Sequence, residues 1–485
     1  MVDEGCEPVR HGEPGARRGA AVMGAALAAD GIAARVGADL LAAGGSAADA
    51  AVAVAAALAV VDPANCGIGG YGGFAVVDCA DGSPATQICF NTAAPVSGGA
   101  IAAGRMPPGA MVAPAAVVAG LSTLQRAFGR LDRRAVWAPA VRLARDGFPV
   151  GSGLAAALEW ARGRHRGLNA AFQRIFLAHG EPLRAGAILR QPELADSLAR
   201  IAAEGAAAMQ GGDLVRSICN EVRKAGGHLS EHDFSALDAT ASVAARIEYR
   251  DAEVWAPEPQ QCGAQVLYAA LRSLQGVDLG EARGRQYVAA LGAALAAGAQ
   301  ARAAAFEERQ RPPGQTSHLC VVDGDGMMVS MTFTHGPTWF GSGLVAEDTG
   351  ILLNAGAHLF VRRRRDAAVV AVPHLCPIAL RHGGSRYVLG SPGGWRIPAI
   401  VLQAVVDLVN YAVPLGEVFT GARVSVDRSG ALEGEAPLAG VPRDRQTPLI
   451  EPGDYFGPAG ALGFSGGEIQ AGIDPRFAGQ CAYAR

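Results

Sequence analysis

Charged residues are few in this sequence, and neither sign is in clear excess. They make up 18% of the 485 residues, lysine is scarce, the formal net charge is −3 and the pI is about 6.4. Nucleic-acid-binding proteins carry basic surfaces and polybasic membrane anchors carry runs of positive charge, so both classes are excluded. Hydrophobic residues make up 50% of the chain, which is typical of a globular protein with a large core.

Paired cysteines are also missing. The nine cysteines form no C-x-x-C pair, and no His or Cys spacing typical of a metal site is present. We therefore predict no disulfide framework and no metal site, and a reducing cytoplasm fits this pattern. Several cysteines lie in apolar runs, where small buried hydrophobic side chains are expected: Cys66, Cys79, Cys89 and Cys320.

The sequence has no stretch of about 18 strongly apolar residues, so no transmembrane helix is predicted. The segment RRGAAVMGAALAAD, which begins at Arg17, has the basic pair and short apolar stretch of a signal peptide. That apolar stretch continues smoothly into a predicted core element. This continuity favours a cytoplasmic protein without membrane association, with the signal peptide as the alternative.

The chain changes character at the loop Pro312-Pro313-Gly314-Gln315. Ala- and Leu-rich patterns before this loop predict mostly helices, and alternating patterns after it predict strands. Near the start of the chain, Ser46 is the predicted N-cap of a helix with Asp49 in its first turn. The predicted segments are a disordered terminus (1–20), a strand with two helices (22–62), a Gly-rich strand (67–78), helices (114–147 and most of 153–306), a short strand (252–255), strands from 316 and near 376–390, and a helix (398–412).

The residues that follow this loop predict a β-hairpin. Val321-Val322 leads into the sequence DGDG at 323–326, which is typical of hairpin turns. A two-residue turn at its centre would place Thr316 opposite Phe333 and Thr334. The hairpin is therefore expected to bring Thr316 close to Thr334.

A threonine at the first position of such a strand is a candidate nucleophile. Its hydroxyl needs a base within hydrogen-bond reach. A cut between Gln315 and Thr316 would free the α-amino group of Thr316, whose pKa near 8 allows it to take and return a proton. A second hydroxyl at Thr334 could orient the first. The alternative interpretation is an ordinary hairpin with β-branched residues at its ends.

Five stretches, taken together, resemble γ-glutamyltranspeptidases, a family of N-terminal-nucleophile hydrolases. The resemblance implies an α+β fold, a four-layer αββα sandwich, and self-cleavage before Thr316. It also implies a large subunit (21–315) and a small subunit (316–485) that form a heterodimer, with a dimer of heterodimers as an alternative assembly. The stretches are GADLLAAGGSAADAAVAVAAALAVVDP with GIGGYGGF (37–74), GRLDRRAVWAPAVRLARDGFPV (129–150), QTSHLCVVDGDGMMVS (315–330), FGSGLVAEDTGILLN (340–354) and GSPGGWRIP (390–398).

The resemblance assigns catalytic roles to four residues. Thr316 matches the nucleophile, and Thr334 matches the threonine that supports it. Gly393 and Gly394 match the pair whose backbone N–H groups form the oxyanion hole. Two glycines allow the backbone to approach a developing oxyanion closely, and one such donor is worth roughly 3 kcal/mol.

The chain departs from the family at the positions that bind the γ-glutamyl group. Asn91 replaces the arginine that binds the α-carboxylate, and Leu359 replaces the aspartate that binds the α-amino group. Pro373-His374 replaces a pair of serines, and Gly336 replaces an asparagine. Leaving a substrate charge unpaired in a buried pocket is costly, so we predict that the nucleophile is retained and γ-glutamyl recognition is lost.

Four polar side chains are candidates for contacts to a different small-molecule substrate. The run of four arginines at 362–365 predicts either a solvated loop or the steering of an anionic substrate toward the site. The candidates are Asn91, His335, His358 and His374, next to the altered positions Gly336 and Leu359.

Family members with an altered glutamyl-binding site include amidohydrolases of small acids, cephalosporin acylases and homologues linked to the alkylproline units of actinobacterial natural products. Resemblance to the last group implies hydrolytic C–C cleavage of a 2-oxo acid side chain with release of oxalate, our leading hypothesis. The alternatives are an amide hydrolase or acylase acting on a small acid, a true γ-glutamyl hydrolase or transferase, and an uncleaved binding protein. None of the chemistry proposed requires a metal or an organic cofactor.

Overall fold

The computed structural model describes residues 23–485 with several gaps. The predicted disordered terminus at 1–20, the first three residues of the Pro312–Gln315 loop and the arginines at 362–365 lie outside the described residues. The basic pair of the signal-peptide-like segment does so too, whereas Gly24–Ala28 from its apolar part form a core strand. The gaps are 96–105, 166, 236, 306–314, 360–372, 428, 436–438, 443–445, 448–456 and 477–478.

The helices fall mainly in the first two thirds of the chain, as predicted. Short 3₁₀ turns occur at Pro108–Met111, Gly205–Met209, Pro259–Gln261, Gly356–Leu359, Gly394–Arg396 and Leu415–Glu417. The α-helices are α1 Gly31–Ala42, α2 Ala47–Val61, α3 Val117–Phe128, α4 Arg133–Asp146, α5 Ser152–Arg164, α6 Ala170–Phe176, α7 Pro192–Glu204, α8 Gly212–Lys224, α9 Glu231–Ser235, α10 Ala264–Leu274, α11 Arg285–Ala305 and α12 Ile397–Asn410.

The strands are spread over the whole chain. They are β1 Gly24–Ala28, β2 Gly72–Asp78, β3 Thr86–Cys89, β4 Phe148–Pro149, β5 Leu177–Ala178, β6 Glu181–Pro182, β7 Ile188–Leu189, β8 Thr240–Val243, β9 Ala245–Tyr249, β10 Ala252–Ala256, β11 Gln315–Asp323, β12 Met328–Gly336, β13 Val345–Ala346, β14 Ile351–Leu352, β15 Ile378–His382, β16 Ser385–Gly390, β17 Val424–Val426, β18 Leu432–Glu435, β19 Gln446–Thr447, β20 Gly460–Ser465, β21 Glu468–Ile473 and β22 Gln480–Ala484.

Two antiparallel sheets form the centre of the molecule. Within the described residues, the first sheet has the strand order β22-β1-β11-β12-β2-β3-β8 and the second has the order β21-β20-β16-β15-β10-β9. Apolar side chains from both sheets meet in one buried cluster, so the sheets pack face to face. Because helices cover the outer face of each sheet, the predicted four-layer αββα sandwich is confirmed.

Helix α2 illustrates why the layers pack so closely. All 15 of its residues are buried, most of them alanine or valine, so the helix is apolar on every side. Ser46 and Asp49 form a capping box at its N-terminus, as the sequence predicts. The Asp323 carboxylate accepts a further hydrogen bond from the backbone N–H of Ala47 at 2.9 Å, which ties the helix to the hairpin turn.

The hairpin forms, but its turn is one residue longer than predicted. The backbone N–H of Asp323 donates to Met327 O at 3.0 Å, which encloses three residues instead of two. The Asp323 carboxylate accepts from the N–H of Met327 at 2.9 Å, and Gly326 has a φ of 79°, a region that favours glycine. Ser317 therefore pairs with Phe333, and the predicted pairing of Thr316 with Phe333 is wrong by one residue.

Five strands lie where the sequence predicts mainly helix. Three of them, β5, β6 and β7, have only two residues each, and the other two, β8 and β9, lie next to the correctly predicted β10. All four residues of β8 are exposed, and it forms an edge of the first sheet, so it lacks the alternation that marks a half-buried strand.

Among the described helices, none is long and apolar enough to cross a membrane. Eight cysteines are described, and all are free thiols. Of the four expected to be buried, Cys66 and Cys320 are, whereas Cys79 and Cys89 are partly exposed. Within the same residues, no group of three or more His, Cys, Asp or Glu side chains is placed to hold a metal ion.

Candidate active site

Thr316 lies at a β-bulge between the two central strands. Gln315 pairs with Gly336 and Ser317 pairs with Phe333, so Thr316 alone faces two residues of β12, Thr334 and His335. Thr316 is only 7% exposed. Side chains alternate along a strand, so Thr316 points into the space between the sheets, as His318 does. The predicted proximity of Thr316 and Thr334 is therefore confirmed.

Thr334 is held in place by the turn that ends β12. Its hydroxyl accepts a hydrogen bond from the backbone N–H of Gly336 at 2.9 Å, and its side chain is 2% exposed. Gly336 has a φ of 129°, which a residue with a side chain rarely adopts. Gly336 is a predicted substrate-site position. In the structure it also has a local role, because its backbone conformation directs its N–H toward the hydroxyl of Thr334.

The diglycine loop begins beside the same strand end. Gly390 ends β16 and packs so closely on His318 that a Cβ there would lie 2.5 Å from the imidazole Cε1. Gly393 and Gly394 follow with φ values of 129° and 61°. The loop is thus brought near Thr316 in a conformation that glycine alone adopts easily, and the oxyanion-hole assignment stays a prediction.

A buried ion pair anchors this loop, and sequence reasoning missed it. The Arg396 guanidinium, in the turn that starts at Gly394, donates to both Glu433 carboxylate oxygens, at 2.7 and 3.0 Å. A second buried arginine, Arg423, donates to Gly457 O at 3.0 Å, and the N–H side of Gly457 lies against Gly393. Both contacts join segments that are distant in sequence. The only local signal for them is Arg396 itself, which lies two residues after Gly394 in the sequence GSPGGWRIP.

Asn91 lies one strand away from Thr334. Thr334 pairs with Gly72, and a Cβ at Gly72 would lie 2.7 Å from the Cα of Asn91. The Oδ1 atom of Asn91 is buried and has no hydrogen-bond partner within the described part of the chain. A neutral amide with an unused acceptor therefore lies where the resemblance predicts the carboxylate-binding arginine.

His335 faces the other side of the first sheet. Its ring lies against Gly67, beside a small cavity whose lining includes Ala59 and Pro63 near the end of α2. Burial lowers the pKa of His335 to about 4, so the ring is neutral at physiological pH. Neither ring nitrogen has a hydrogen-bond partner among the described residues. The structure thus does not bring this ring together with Thr316, and its role as a substrate contact stays a prediction.

The backbone of His358 and Leu359 lies near Thr334. Both belong to the 3₁₀ turn that begins at Gly356, and this glycine packs on Tyr71, the residue before Gly72. Asn354, which sequence reasoning missed, holds the turn in place. Its side chain is fully buried and bonds to three segments: to Gly69 O, to the Ala113 N–H and O, and to the Gly356 N–H, at 2.8–3.0 Å.

His374 lies at the start of the helices under the second sheet. Its backbone carbonyl packs against Gly263, next to α10, and Gly263 also lies close to Pro398 of α12. Pro373, the other residue at the altered serine pair, is buried. Because α12 directly follows the diglycine turn, His374 lies on the same side of the molecule as that turn, and its contact with substrate stays a prediction.

These residues provide a buried hydroxyl, a supporting hydroxyl and a glycine loop at one end of the paired sheets. The combination suits attack on a carbonyl carbon, with backbone donors available for the oxygen that becomes negative. Comparison with known proteins agrees: the sequence profile described as gamma-glutamyltranspeptidase matches residues 33–311 and 289–483. The chain belongs to the gamma-glutamyltranspeptidase family. Its fold and its site fit the hydrolases of this family.

Two curated relatives cover most of the chain. The glutathione hydrolase proenzyme of Escherichia coli (strain K12) is 31% identical over 472 residues, 83% of this chain and 81% of that protein. The acylase ACY 1 proenzyme of Pseudomonas sp. (strain SE83) is 28% identical over 473 residues, 84% of this chain and 83% of that protein.

Solved structures share the fold over nearly the whole length. The cephalosporin acylase from Bacillus halodurans has a TM-score of 0.82 at 23% identity and covers 98% of both chains. The LmbA2991HD structure has a TM-score of 0.78 at 19% identity and covers 95% of this chain and 98% of its own. At these identities the likeness establishes the αββα architecture alone.

Proposed function

We propose that this protein is a self-cleaving threonine hydrolase whose substrate is not a γ-glutamyl compound. The observation that carries the proposal is the bulge at which the buried Thr316 faces Thr334 and His335. Cleavage between Gln315 and Thr316 would give a large subunit, 1–315, whose folded domain is 21–315, and a small subunit, 316–485, which remain paired as a heterodimer. The strand pairs of the first sheet support this pairing, since β1 of the large subunit lies beside β11 of the small one.

Self-cleavage uses the Thr316 hydroxyl first. Its oxygen attacks the carbonyl carbon of Gln315, the peptide C–N bond breaks, and the acyl group moves to the oxygen as an ester. The proton of the hydroxyl ends on the departing nitrogen, which becomes the α-amino group. Water then hydrolyses the ester, which leaves a carboxylate on Gln315 and a free α-amino group on Thr316. In the continuous chain this nitrogen belongs to a peptide bond, so the base required for turnover exists only after the cut.

Turnover repeats the attack on a substrate carbonyl. The α-amino group takes the hydroxyl proton, Thr334 orients the attacking oxygen, and the N–H groups of Gly393 and Gly394 stabilise the tetrahedral oxyanion. Both glycines support this role. Their positive φ values favour glycine, and the absence of a side chain lets the backbone approach the site closely.

Substrate selection follows from the altered positions. Asn91 is uncharged and has an unused buried oxygen, and Leu359 and Pro373 offer no charge or side-chain hydrogen bond. A zwitterionic γ-glutamyl group would lose its water here without gaining both ionic partners, at a cost of several kcal/mol. We therefore expect a small substrate with no α-ammonium group. The four arginines at 362–365 are the sequence feature that favours an anionic one.

The specific reaction that we propose is hydrolysis of a C–C bond next to a 2-oxo acid. Thr316 Oγ attacks C2, the C2–C3 bond breaks, and a conjugated imine in the leaving group accepts the electron pair before that carbon is protonated. Water hydrolyses the oxalyl ester on Thr316. Substrate and one water thus give oxalate and a side chain that ends in the former C3, without any oxidant or cofactor.

Amide hydrolysis is the second candidate. It requires the same nucleophile and oxyanion donors, with an amine as the leaving group. The similarity to the acylase ACY 1 proenzyme over 84% of the chain favours it as the alternative.

The first experiment measures the intact mass of denatured protein for the wild type and two variants. We expect the wild type to give two fragments that meet at Gln315/Thr316, and Thr316→Ala to remain one chain. Thr316→Ser keeps a hydroxyl and should be cleaved more slowly, which separates loss of the nucleophile from loss of folding. An uncut wild type would overturn the proposal and favour a non-catalytic protein.

The second experiment compares substrates on the cleaved enzyme. A cyclic-imine 2-oxo acid is tested for oxalate release, an N-acyl amide for free amine, and a γ-glutamyl anilide for aniline. Oxalate release that disappears in Thr316→Ala supports C–C cleavage, whereas amine release alone favours the acylase. Efficient γ-glutamyl turnover would show that substitute contacts exist and would overturn the proposed specificity.

A further inference from the structure

The turn that follows α2 lies against the active-site end of both central strands. Asp62 is the C-cap of α2, and the turn continues through Asn65 to residue 66. Asn65 O accepts a hydrogen bond from the backbone N–H of His335 at 3.4 Å, and the Asp62 carboxyl group lies beside the hydroxyl of Ser317. This single turn therefore contacts the residues that directly follow the two active-site threonines.

The contact between Asp62 and Ser317 is buried but incomplete. Asp62 Oδ1 accepts a hydrogen bond from Asn65 Nδ2 at 2.7 Å. Asp62 Oδ2 and the hydroxyl of Ser317 are both buried, and neither makes a fully formed hydrogen bond within the described residues. Leaving two such atoms unpaired is unfavourable, so a small adjustment that joins them is expected to be stabilising.

The charge on Asp62 depends on pH in the neutral range. Burial raises the pKa of Asp62 to about 7, against a lowering by the hydrogen bond from Asn65. The Asp30 carboxylate adds to this rise in the pKa of Asp62, and the Ser317 hydroxyl opposes it. No arginine or lysine is among the described groups that shift this pKa.

The other titratable groups around Asp62 come from three elements. Asp30 lies in the turn before α1, Cys66 in the same turn as Asp62, and His335 on β12. Burial raises the pKa of the Asp30 carboxyl and of the Cys66 thiol, and it lowers the pKa of His335 to about 4. Cys66 and His335 are therefore neutral at neutral pH, and none of the described groups that shift the pKa of Asp62 is a cation.

We propose that Asp62 is a positioning residue for Thr316: its carboxylate accepts a hydrogen bond from the Ser317 hydroxyl and so orients the first residues of β11 for self-cleavage. The inference rests on the proposed self-cleavage at Gln315–Thr316. An ionised acceptor makes a shorter and stronger hydrogen bond than a neutral one. The strand end is therefore held most firmly once Asp62 has lost its proton.

The test follows self-cleavage of full-length protein made by cell-free synthesis, in buffers from about pH 5 to about pH 9. The cleaved fraction is measured over time by denaturing gel and intact mass. We expect the wild-type rate to rise as the pH passes through about 7. Asp62→Asn keeps the shape but cannot ionise, so its rate should lack this rise and be about tenfold lower at the alkaline end, as for a misplaced nucleophile.

Two further variants make the test specific. Ser317→Ala should slow cleavage as much as Asp62→Asn, and the double variant should be no slower than either, because both remove one hydrogen bond. Asp30→Asn keeps a side chain that can cap α1 at Ile32 but removes the charge that raises the pKa of Asp62. Its rate should therefore rise at a lower pH than in the wild type.

The outcomes separate this inference from the proposed function. A wild type that stays uncut overturns the proposed self-cleavage. A wild type that is cut, with the same pH profile in Asp62→Asn, overturns the role of Asp62 alone. Additive effects of Asp62→Asn and Ser317→Ala also overturn it. If thermal unfolding shows that Asp62→Asn is not folded, the test depends on Asp30→Asn. A cleavage rate with the same pH dependence in Asp30→Asn as in the wild type would then overturn the inference.

Discussion

The two ends of the β11–β12 hairpin differ in how well their polar atoms are paired. At the turn end, Asp323 accepts hydrogen bonds from the N–H groups of Ala47, Asp325 and Met327. Asp49, at the same end of α2, accepts from the Ser46 N–H and hydroxyl and from residues 125, 130 and 131. Each of these buried carboxylates thus has several donors.

At the active-site end, buried polar atoms remain without full hydrogen bonds within the described chain. They are Asp62 Oδ2, Asn91 Oδ1, the Ser317 hydroxyl and both ring nitrogens of His335. Fully paired carboxylates stabilise the fold, whereas unpaired groups at a site can bind a substrate or respond to protonation. One hairpin therefore anchors the sandwich at its turn and presents reactive groups at its open end.

The largest expected effect is the loss of stability on removal of the Asp49 carboxylate, which anchors the N-terminus of α2. Asp49→Ala leaves its backbone donors buried without a partner, so we expect the free energy of unfolding to fall by about 3–5 kcal/mol. Urea unfolding is measured in the Thr316→Ala background, where the chain is expected to stay intact. Asp325→Ala is the matched control, because its ion pair with Arg130 is largely exposed and should contribute less than about 1 kcal/mol. Similar losses in both variants would contradict the role of the buried, fully hydrogen-bonded Asp49 carboxylate in anchoring the turn end.

A smaller effect is expected from acid at the active-site end. The pKa of His335 is about 4 in the folded protein, below its ordinary value of about 6.5. The unfolded chain therefore binds more protons between these values, and stability is lost as the pH falls through that range, by up to about 3 kcal/mol. His335→Leu should remove this loss and, by removing two unpaired nitrogens, raise stability at neutral pH by about 1 kcal/mol.

Urea unfolding of Thr316→Ala with and without His335→Leu, from about pH 4 to about pH 8, tests this expectation. The raised pKa of Asp62 acts in the opposite direction, because its stability contribution falls as the pH rises toward about 7. The difference between the two proteins isolates His335. His318→Leu is the control, since its Nδ1 bonds to the Thr332 hydroxyl at 2.9 Å and its loss should destabilise. If Thr316→Ala loses the same free energy of unfolding on acidification with and without His335→Leu, the acid-dependent loss does not come from His335.

The smallest effect on stability, but not on activity, is expected in two turns that follow strands of the second sheet. Gly394 and Gly466 have φ values of 61° and 57°, so an alanine at either should cost about 1 kcal/mol of strain. A Cβ at Gly466 would meet no atom within 4 Å, and the residue lies in the turn between β20 and β21. Only Gly394→Ala should slow self-cleavage or turnover. Equal activity of the two variants would remove Gly394 from the site.

Much of the fold can be predicted because its signals are local. The capping box of α2, the hairpin and the strand at 252–256 follow from short patterns of capping, turn and alternating residues. The predicted register of the hairpin differs from the observed one by one residue, because the Asp323 carboxylate stabilises a three-residue turn. The strand β8 was missed because an exposed edge strand lacks apolar alternation.

The candidate site could be predicted only in part. The proximity of Thr316 and Thr334 follows from hairpin geometry, whereas the diglycine loop, the Asn354 bonds and the Arg396–Glu433 pair join segments that are distant in sequence. The sequence suggests four polar substrate contacts, but the side-chain direction of His335 depends on which strand carries the bulge.

By itself, the sequence determined the hairpin that begins with Thr316, because turn residues and alternating strand residues lie close together in the chain. The layered architecture and the loss of the charged glutamyl-binding positions were implied by the resemblance of the sequence to the family. Only the tertiary structure decided that Thr316 faces two residues of β12, that Gly390 packs on His318 and that Asp62 lies beside Ser317. These contacts arise from strand register and from packing between layers, and no local pattern contains that information.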